Sequence, residues 1–522
     1  MAGERAMNIA NYTSSKRNRV IRAAWIVLFS LVSLISIAIR IRLLDLPLER
    51  DEGEYAYAGQ LMLHGIAPYK IAYNMKFPGT YASYAVIMLV FGQTIRGIHL
   101  GFLVVNLANV ALVLFLGRKL FGWNAGVGAA ASYALLSINP AMLGLSAHAT
   151  HFVILPALAA TLLLLRFANS HRARHALVSG LLFGLALLMK QPGLFFAIFG
   201  GLYLIYLEIR QPLRPLQLIR NVLVYITGVI LPFAATCACL QVAGTFDKFW
   251  FWTVTYARDY GSAVPLAVGI YAFAHNWLRV VDSLWLLWLG ALTGLIALIG
   301  ARSFRRELWF VCSFGCFSIL ALSAGLYFRP HYFVLVLPFI TLLIGAAIAA
   351  GEPVRRLSLK LAPAMLLLVA LLVFLWTNAA TFFAMPPAQV CRTLYGANPF
   401  PEALKIAEFI KSRTTLADKI AVLGSEPEIY FYSERLSATG YIYMYAAMEP
   451  HARALAMQQE IISEIEAARP RCLVITGVDM SWQWPVEGSV LQEWADRYVR
   501  ENYRAVGLVN IISRETTDYY LP

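Results

Sequence analysis

Long apolar runs recur along most of the chain, separated by short clusters of arginine and lysine. No other feature limits its fold as much. The runs fall at roughly 23–39, 81–95, 98–116, 124–143, 151–167, 177–189, 193–207, 221–243, 280–300, 307–326, 332–350 and 361–384. About 20 apolar residues in helical form cross the hydrocarbon of a bilayer. Only helices and closed barrels keep their backbone groups paired there. The chain is 59% hydrophobic and 14% charged, against about 25% charged for a soluble domain. These features predict a polytopic α-helical membrane protein. The run 81–95 is short and holds Tyr81, Tyr84 and Gln93, so it is expected to be a partial or surface helix, leaving about eleven spans.

The net charge of +14 would suggest nucleic acid in a soluble protein. Here the cations sit between apolar runs and act as topology determinants. Lys16, Arg17, Arg19 and Arg22 precede the run Ala23–Ile39, and no small-x-small cleavage pattern follows it. That run reads as an uncleaved first span behind a cytoplasmic tail, residues 1–22. Alternate loops then hold Arg118 and Lys119; Arg166, Arg172 and Arg174; Arg210, Arg214 and Arg220; Arg302, Arg305 and Arg306; and Arg355, Arg356 and Lys360. The positive-inside rule makes these loops cytoplasmic. Residues 23–385 form the transmembrane domain, with a first outer loop at 41–80 and a longer one at 244–279. After Pro386-Pro387 the composition becomes more polar, and 386–522 reads as a small extracytoplasmic α/β domain. Helices are expected at 401–411, 447–468 and 489–500, strands at 419–424 and 471–476, and a capping box at Ser425-x-x-Glu428. This alternation implies a small, mostly parallel sheet in an accessory or lid domain. Cys237, Cys239, Cys312 and Cys316 lie in apolar runs, and a Cys391–Cys472 disulfide is compatible with an outer location.

Charge beside a bilayer is costly, which draws attention to the first outer loop. Arg50-Asp51-Glu52-Gly53-Glu54-Tyr55 and Met75-Lys76-Phe77-Pro78 place several acids and a lysine there. Asp51-x-x-Glu54 would also serve to cap a surface helix, but one cap needs one acid. Lys76 suits either bulk lipid headgroups or a specific phosphate. Lys190-Gln191-Pro192 and Arg329-Pro330-His331-Tyr332 stand at outer ends of other spans, where arginine can grip an anionic leaving group. His148 and His151 have helical i, i+3 spacing but no third ligand nearby in sequence, so no metal is assigned. Trp250, Phe251, Trp252, Tyr256, Arg258, Asp259 and Tyr260 form either an interfacial aromatic belt or a stacking platform for sugar or lipid.

Asp51-Glu52 after the first span, Lys76-x-Pro78, Lys190 in Leu-Met-Lys-Gln-Pro, and Arg329-x-x-Tyr332 with Pro338 together resemble the GT-C class of membrane glycosyltransferases. The likeness is to the dolichyl-phosphate-mannose protein mannosyltransferase and lipid A aminoarabinose transferase group, and it covers residues 20–385. It implies an inverting transferase in the bacterial inner membrane, taking a sugar from a polyprenyl-phosphate carrier at the outer face. The acceptor would be a lipid, glycan or protein. The resemblance makes Asp51 the catalytic carboxylate with Glu52 beside it, and gives the donor phosphate to Lys76, Arg329 and Lys190. Tyr55, His151, Tyr256, Arg258, His331 and Tyr332 are expected around the substrate. One departure stands out. Relatives carry a second acid where this chain has His148 or His151, so no cofactor is expected, a divalent cation being the exception to test. The rival class is a transporter or flippase for a polar lipid or sugar, but no internal repeat supports it. A non-catalytic membrane scaffold whose outer domain binds a partner is a third alternative.

Overall fold

The computed structural model describes residues 2–211, 214–354 and 356–522, with side chains from residue 18 onward. The side chains of Lys16 and Arg17, and all of Arg355, lie outside the described residues. Among the described residues seven helices are long and apolar enough to cross a membrane, and four shorter apolar helices accompany them. A bent pair, Phe246–Gly261 with Leu266–Asp282, would make an eighth span. The protein is a multi-pass integral membrane protein. The first half of the chain runs α1 (Ala2–Arg42), α2 (Arg50–Leu63), α3 (Pro78–Phe91), α4 (Ile95–Phe121), α5 (Trp123–Leu136), α6 (Ala149–Ser170), α7 (Ala173–Met189), α8 (Gly193–Ile209) and α9 (Pro215–Val242). The apolar stretch 81–95 proves to belong mostly to α3, 14 residues long. At 1.5 Å per residue that is about 21 Å, short of the hydrocarbon thickness.

The segment 244–279, expected as a loop, is instead largely helical, its two pieces meeting at 90°. Pro265, at the start of the second piece, has no N–H to continue a helix, and the turn falls just before it. Later helices Trp285–Gly300, Arg305–Ser323, Leu337–Gly351 and Leu357–Thr377 complete the bundle. Three of the cationic loops meet at one end of the bundle, where Phe121 packs on Phe304 and Asn124 reaches Glu352. Arg118 and Lys119 fall in the last turn of α4, where positive charge also complements the helix dipole.

After residue 385 the chain forms a compact α/β unit. Strands β1 (Lys419–Leu423), β2 (Leu436–Ser437) and β3 (Cys472–Ile475) make a parallel sheet of order β2-β1-β3. Ile420 pairs with Ser437 on one side and Cys472 on the other. A hairpin of β4 (Leu508–Ile511) and β5 (Thr517–Tyr520), which the sequence patterns do not announce, adds an antiparallel pair. Helices Phe400–Arg413 and Val490–Asn502 lie where the sequence places them. The stretch 447–468 is broken into a single turn, Tyr445–Met448, and a helix at Ala454–Ala468. The Ser425-x-x-Glu428 capping box does not form. Glu426 occupies the N-cap of helix Pro427–Ser433, while Ser425 Oγ accepts the Met444 N–H at 3.0 Å. Cys391 and Cys472 are free thiols, as are the other four cysteines.

This unit clamps onto α2. Arg50 reaches Glu426 Oε1 at 3.1 Å and Asn398 Oδ1 at 3.0 Å, and also donates to the Ser425 carbonyl. The Ser437 N–H donates to Tyr57 Oη at 2.7 Å, and Leu48 N–H to Tyr432 Oη at 2.9 Å. Gly53 is required at the contact: a Cβ there would lie 2.7 Å from the Cβ of Glu428.

Candidate active site

Four acids crowd the start of α2, and each has its own task. Glu49 is the N-cap: its carboxylate accepts the Glu52 N–H at 3.0 Å, and Glu52 reaches back to the Glu49 N–H. This reciprocal arrangement satisfies two of the helix's free N–H groups. Glu52, fully buried, also accepts the Ala147 N–H at 2.6 Å and lies 3.2 Å from His99 Nε2. Glu54 accepts Lys76 Nζ at 2.7 Å and the Tyr81 hydroxyl. Asp51, unused by cap or core, turns toward an open cavity. Capping thus falls to Glu49 and Glu52, which leaves Asp51 free of that task.

Asp51 Oδ1 accepts Lys76 Nζ at 2.6 Å and the Tyr443 hydroxyl at 3.0 Å. Its Oδ2 lies 3.9 Å from His148 Nδ1 and 4.0 Å from His331 Nε2, whose rings stack at 4.2 Å. Burial alone would push the Asp51 carboxyl up, but Lys76, His331 and His148 outweigh it and hold it well below the ordinary carboxylate range. Burial likewise opposes charge on Lys76, yet Asp51 and Glu54 keep that ammonium well above its usual value. The lysine also sits 4.7 Å over the Tyr55 ring, a favourable cation–π distance.

Across the cavity stand two cations with no carboxylate partner among the described residues. Lys190 lies 4.0 Å over the Tyr332 ring. Arg329 donates to Tyr260 Oη at 3.1 Å and lies 5.6 Å from the Tyr327 ring centre. Burial, reinforced by Lys76 and Arg329 and opposed by Asp51, brings the half-buried Lys190 ammonium down to about 7. The two walls are held in register through Gln191, whose Nε2 donates to the Met75 carbonyl at 2.6 Å, and Thr80, which donates to the Met189 carbonyl at 2.7 Å. Gly79 lets the chains approach this closely, since a Cβ there would lie 2.4 Å from the Leu188 carbonyl oxygen.

Asp51, Lys76, Lys190, Arg329, His331, Tyr332 and Tyr256 therefore line one cavity. Four expected site residues do not. Glu52 faces the interior and acts on backbone and His99. Tyr55 packs behind Lys76. Arg258 has 83% of its side chain exposed and points elsewhere. His151 is buried edge-on against Phe102; because His148 is the extended N-cap residue of α6 rather than part of its helix, the two rings diverge. Unforeseen members come from the C-terminal unit: Tyr443, Tyr445 and Glu449, the last accepting the Tyr256 hydroxyl at 2.6 Å. The unit expected as an accessory or lid domain supplies a wall of the cavity.

Asp51, His148 and His331 offer ligand atoms all within 4.8 Å of one another, and both ring nitrogens of His148 are buried without a hydrogen-bond partner. They could hold a divalent ion after a small inward movement, because ligands of a tetrahedral zinc lie about 3.4 Å apart.

The chain shares its fold with two kinds of solved membrane protein, ArnT and the archaeal oligosaccharyltransferase AglB. Residues 76–240 match the family model described as dolichyl-phosphate-mannose-protein mannosyltransferase. Among solved structures, ArnT from Cupriavidus metallidurans bound to undecaprenyl phosphate is similar at 16% identity and a TM-score of 0.54, covering 86% of this chain and 89% of that one. The archaeal oligosaccharyltransferase AglB from Archaeoglobus fulgidus, in complex with an inhibitory peptide and a dolichol-phosphate, is similar at 12% identity and a TM-score of 0.51, covering 95% and 74%. A comparison with curated proteins finds no sequence match.

Proposed function

We propose that the protein is an inverting glycosyltransferase that moves a sugar from a polyprenyl-phosphate carrier to an acceptor at the outer face of the bacterial inner membrane. One observation carries this reading: an ionised carboxylate, Asp51, shares a cavity with two cations, Lys190 and Arg329, that lack counter-charges. The fold neighbours, solved with undecaprenyl phosphate and with dolichol-phosphate, support a lipid-phosphate donor.

The acceptor hydroxyl or amine attacks the anomeric carbon as the bond from that carbon to the phosphate oxygen breaks. Lipid phosphate leaves with the bonding electrons, and the acceptor proton passes to Asp51. A carboxylate held this far below its usual range is a weak base in the ground state. It suffices here because the attacking atom becomes strongly acidic as it bonds to carbon. Lys190 and Arg329 stabilise the charge growing on the leaving phosphate. Lys76, already bound to Asp51 and Glu54, orients the base and keeps it ionised. The test is transfer from a lipid-phosphate sugar by purified Asp51→Asn, which should lose about 10²–10⁴-fold in rate; near-normal turnover in a folded variant would end the assignment.

The unpartnered His148 nitrogens favour one second reading, a divalent ion held by Asp51, His148 and His331. Chelation followed by metal readdition separates the two. Turnover unchanged by chelator supports the metal-free route, and turnover lost to chelator and restored by Mn²⁺ or Zn²⁺ supports the ion.

A further inference from the structure

The opposite end of the bundle holds a second polar cavity, between α1, α5 and the helices Leu337–Gly351 and Leu357–Thr377. Its walls include Arg22, Trp25, Trp123, Asn124, Glu352 and Lys360. The 27 residues of α4 separate it from Asp51 by roughly 40 Å of helix, so it takes no part in the site described above.

The charges there are unbalanced. Arg22 lies 4.7 Å from the Trp123 ring centre, and Arg118, from α4, lies 5.1 Å from the same ring. Neither arginine, nor Lys360, has an ion-pair partner among the described residues. The one acid, Glu352, is engaged by the Asn124 amide at 3.1 Å. The Trp123 indole N–H is buried without an acceptor. Trp is a hydrogen-bond donor only, and a buried donor in a native protein is normally paired. The cavity itself therefore presents two cations, Arg22 and Lys360, and an orphan N–H, with Arg118 outside it against the Trp123 ring, and the group that suits the cations and the N–H together is an oxyanion with several oxygens. Its other walls are apolar, Ile21, Trp25 and Ile348. Just outside it, Val20, Leu357 and Leu359 are exposed as bilayer-facing side chains would be.

We propose that this cavity binds a phosphate ester, with an anionic phospholipid headgroup as its source. A headgroup fits because the phosphate would sit on the cations while the acyl chains lie along the apolar helix faces. The same phosphate chemistry could be supplied by a free phosphate. Bound there, the phosphate would tie the first span to two of the last spans at the side of the membrane that the positive-inside rule makes cytoplasmic.

Native mass spectrometry of the whole purified chain in neutral detergent, titrated with phosphatidylglycerol, phosphatidylcholine or inorganic phosphate, tests this. The wild type should hold phosphatidylglycerol in clear preference to phosphatidylcholine. Each cation removed should weaken that binding about fivefold, so R22Q/K360Q should bind roughly 25-fold less well. Trp123→Phe keeps the ring and removes the N–H, and should weaken binding as well; it carries the test if the double variant loses its helix content. Inorganic phosphate that binds the wild type and is lost from these variants would support the site and move its source from lipid to free phosphate. Equal retention of the two lipids by the wild type, or undiminished phosphatidylglycerol binding by the variants, would overturn the proposal.

Discussion

The two walls of the carboxylate cavity are built on opposite electrostatic plans. On the wall of α2 and the turn before α3, both cations are matched by acids: Lys76 lies between Asp51 and Glu54, and Arg50 is closed by Glu426. On the wall of Lys190 and Arg329, cations face aromatic rings and one another's field, with no acid in contact. The first wall is complete as it stands and holds its geometry before substrate arrives. The second lacks an anion, and under the proposed function the donor phosphate completes it. Preorganisation and recognition are therefore assigned to different parts of the chain, and substitutions in the two walls should fail in different ways.

The largest effect on transfer belongs to Asp51→Asn, predicted above; Glu54 still pairs with Lys76 in that variant, so its cost in stability should be smaller than that of removing the lysine. Next is Lys76→Met, which leaves Asp51 and Glu54 buried without their shared cation. Removing one partner of a buried pair costs about 3–5 kcal/mol, so this variant should show a clear fall in Tm in detergent as well as lost activity. An unchanged Tm would mean that the wall is not electrostatically closed.

The α2 wall is legible in the sequence, because acids and a lysine at the edge of apolar runs are conspicuous against a chain so poor in charge. Lys190 and Arg329 are legible for the same reason, as residues at the ends of spans. The contribution of the C-terminal unit is not. Tyr443, Tyr445 and Glu449 belong to a polar domain where such residues are ordinary, and they flank or open the single helical turn Tyr445–Met448, which no sequence pattern marks. Likewise Asp247, Lys248, Arg258 and Asp259 interrupt the hydropathy of 246–282 and hide the bent pair of helices there. His151 misleads because spacing by three residues brings side chains together only when both lie inside the helix, and His148 precedes it. Charge out of place can be read from a sequence. Charge in its usual place becomes informative only after folding brings it to a cavity.

Arg329→Gln should separate the walls most cleanly. The cation has no acid to strand, so removing it should leave Tm unchanged or slightly raised. Donor binding, in contrast, loses a charge-assisted contact of about 1.5–3 kcal/mol, roughly 10–100-fold in KM for the lipid-phosphate sugar. A large drop in Tm without a change in KM would assign Arg329 to structure and erase the contrast.

The smallest effect is a pH dependence confined to the second wall. With its pKa lowered to about 7, Lys190 is protonated below that pH and meets the donor phosphate already charged, so KM should be flat there. Above it, an increasing share of the free enzyme holds a neutral amine, and binding the phosphate must take up a proton. KM for the donor should then rise with pH, by at most tenfold per unit, until the higher pKa of the phosphate-bound lysine is passed. Asp51, held well below the ordinary carboxylate range, adds no acid limb between about pH 5 and 8. Lys190→Arg fixes the charge at all these values and should flatten the alkaline rise while leaving the neutral-pH KM within a few-fold of wild type. A rise that persists in Lys190→Arg would place the titrating group elsewhere, and the unpaired wall would then recognise its anion through Arg329 alone.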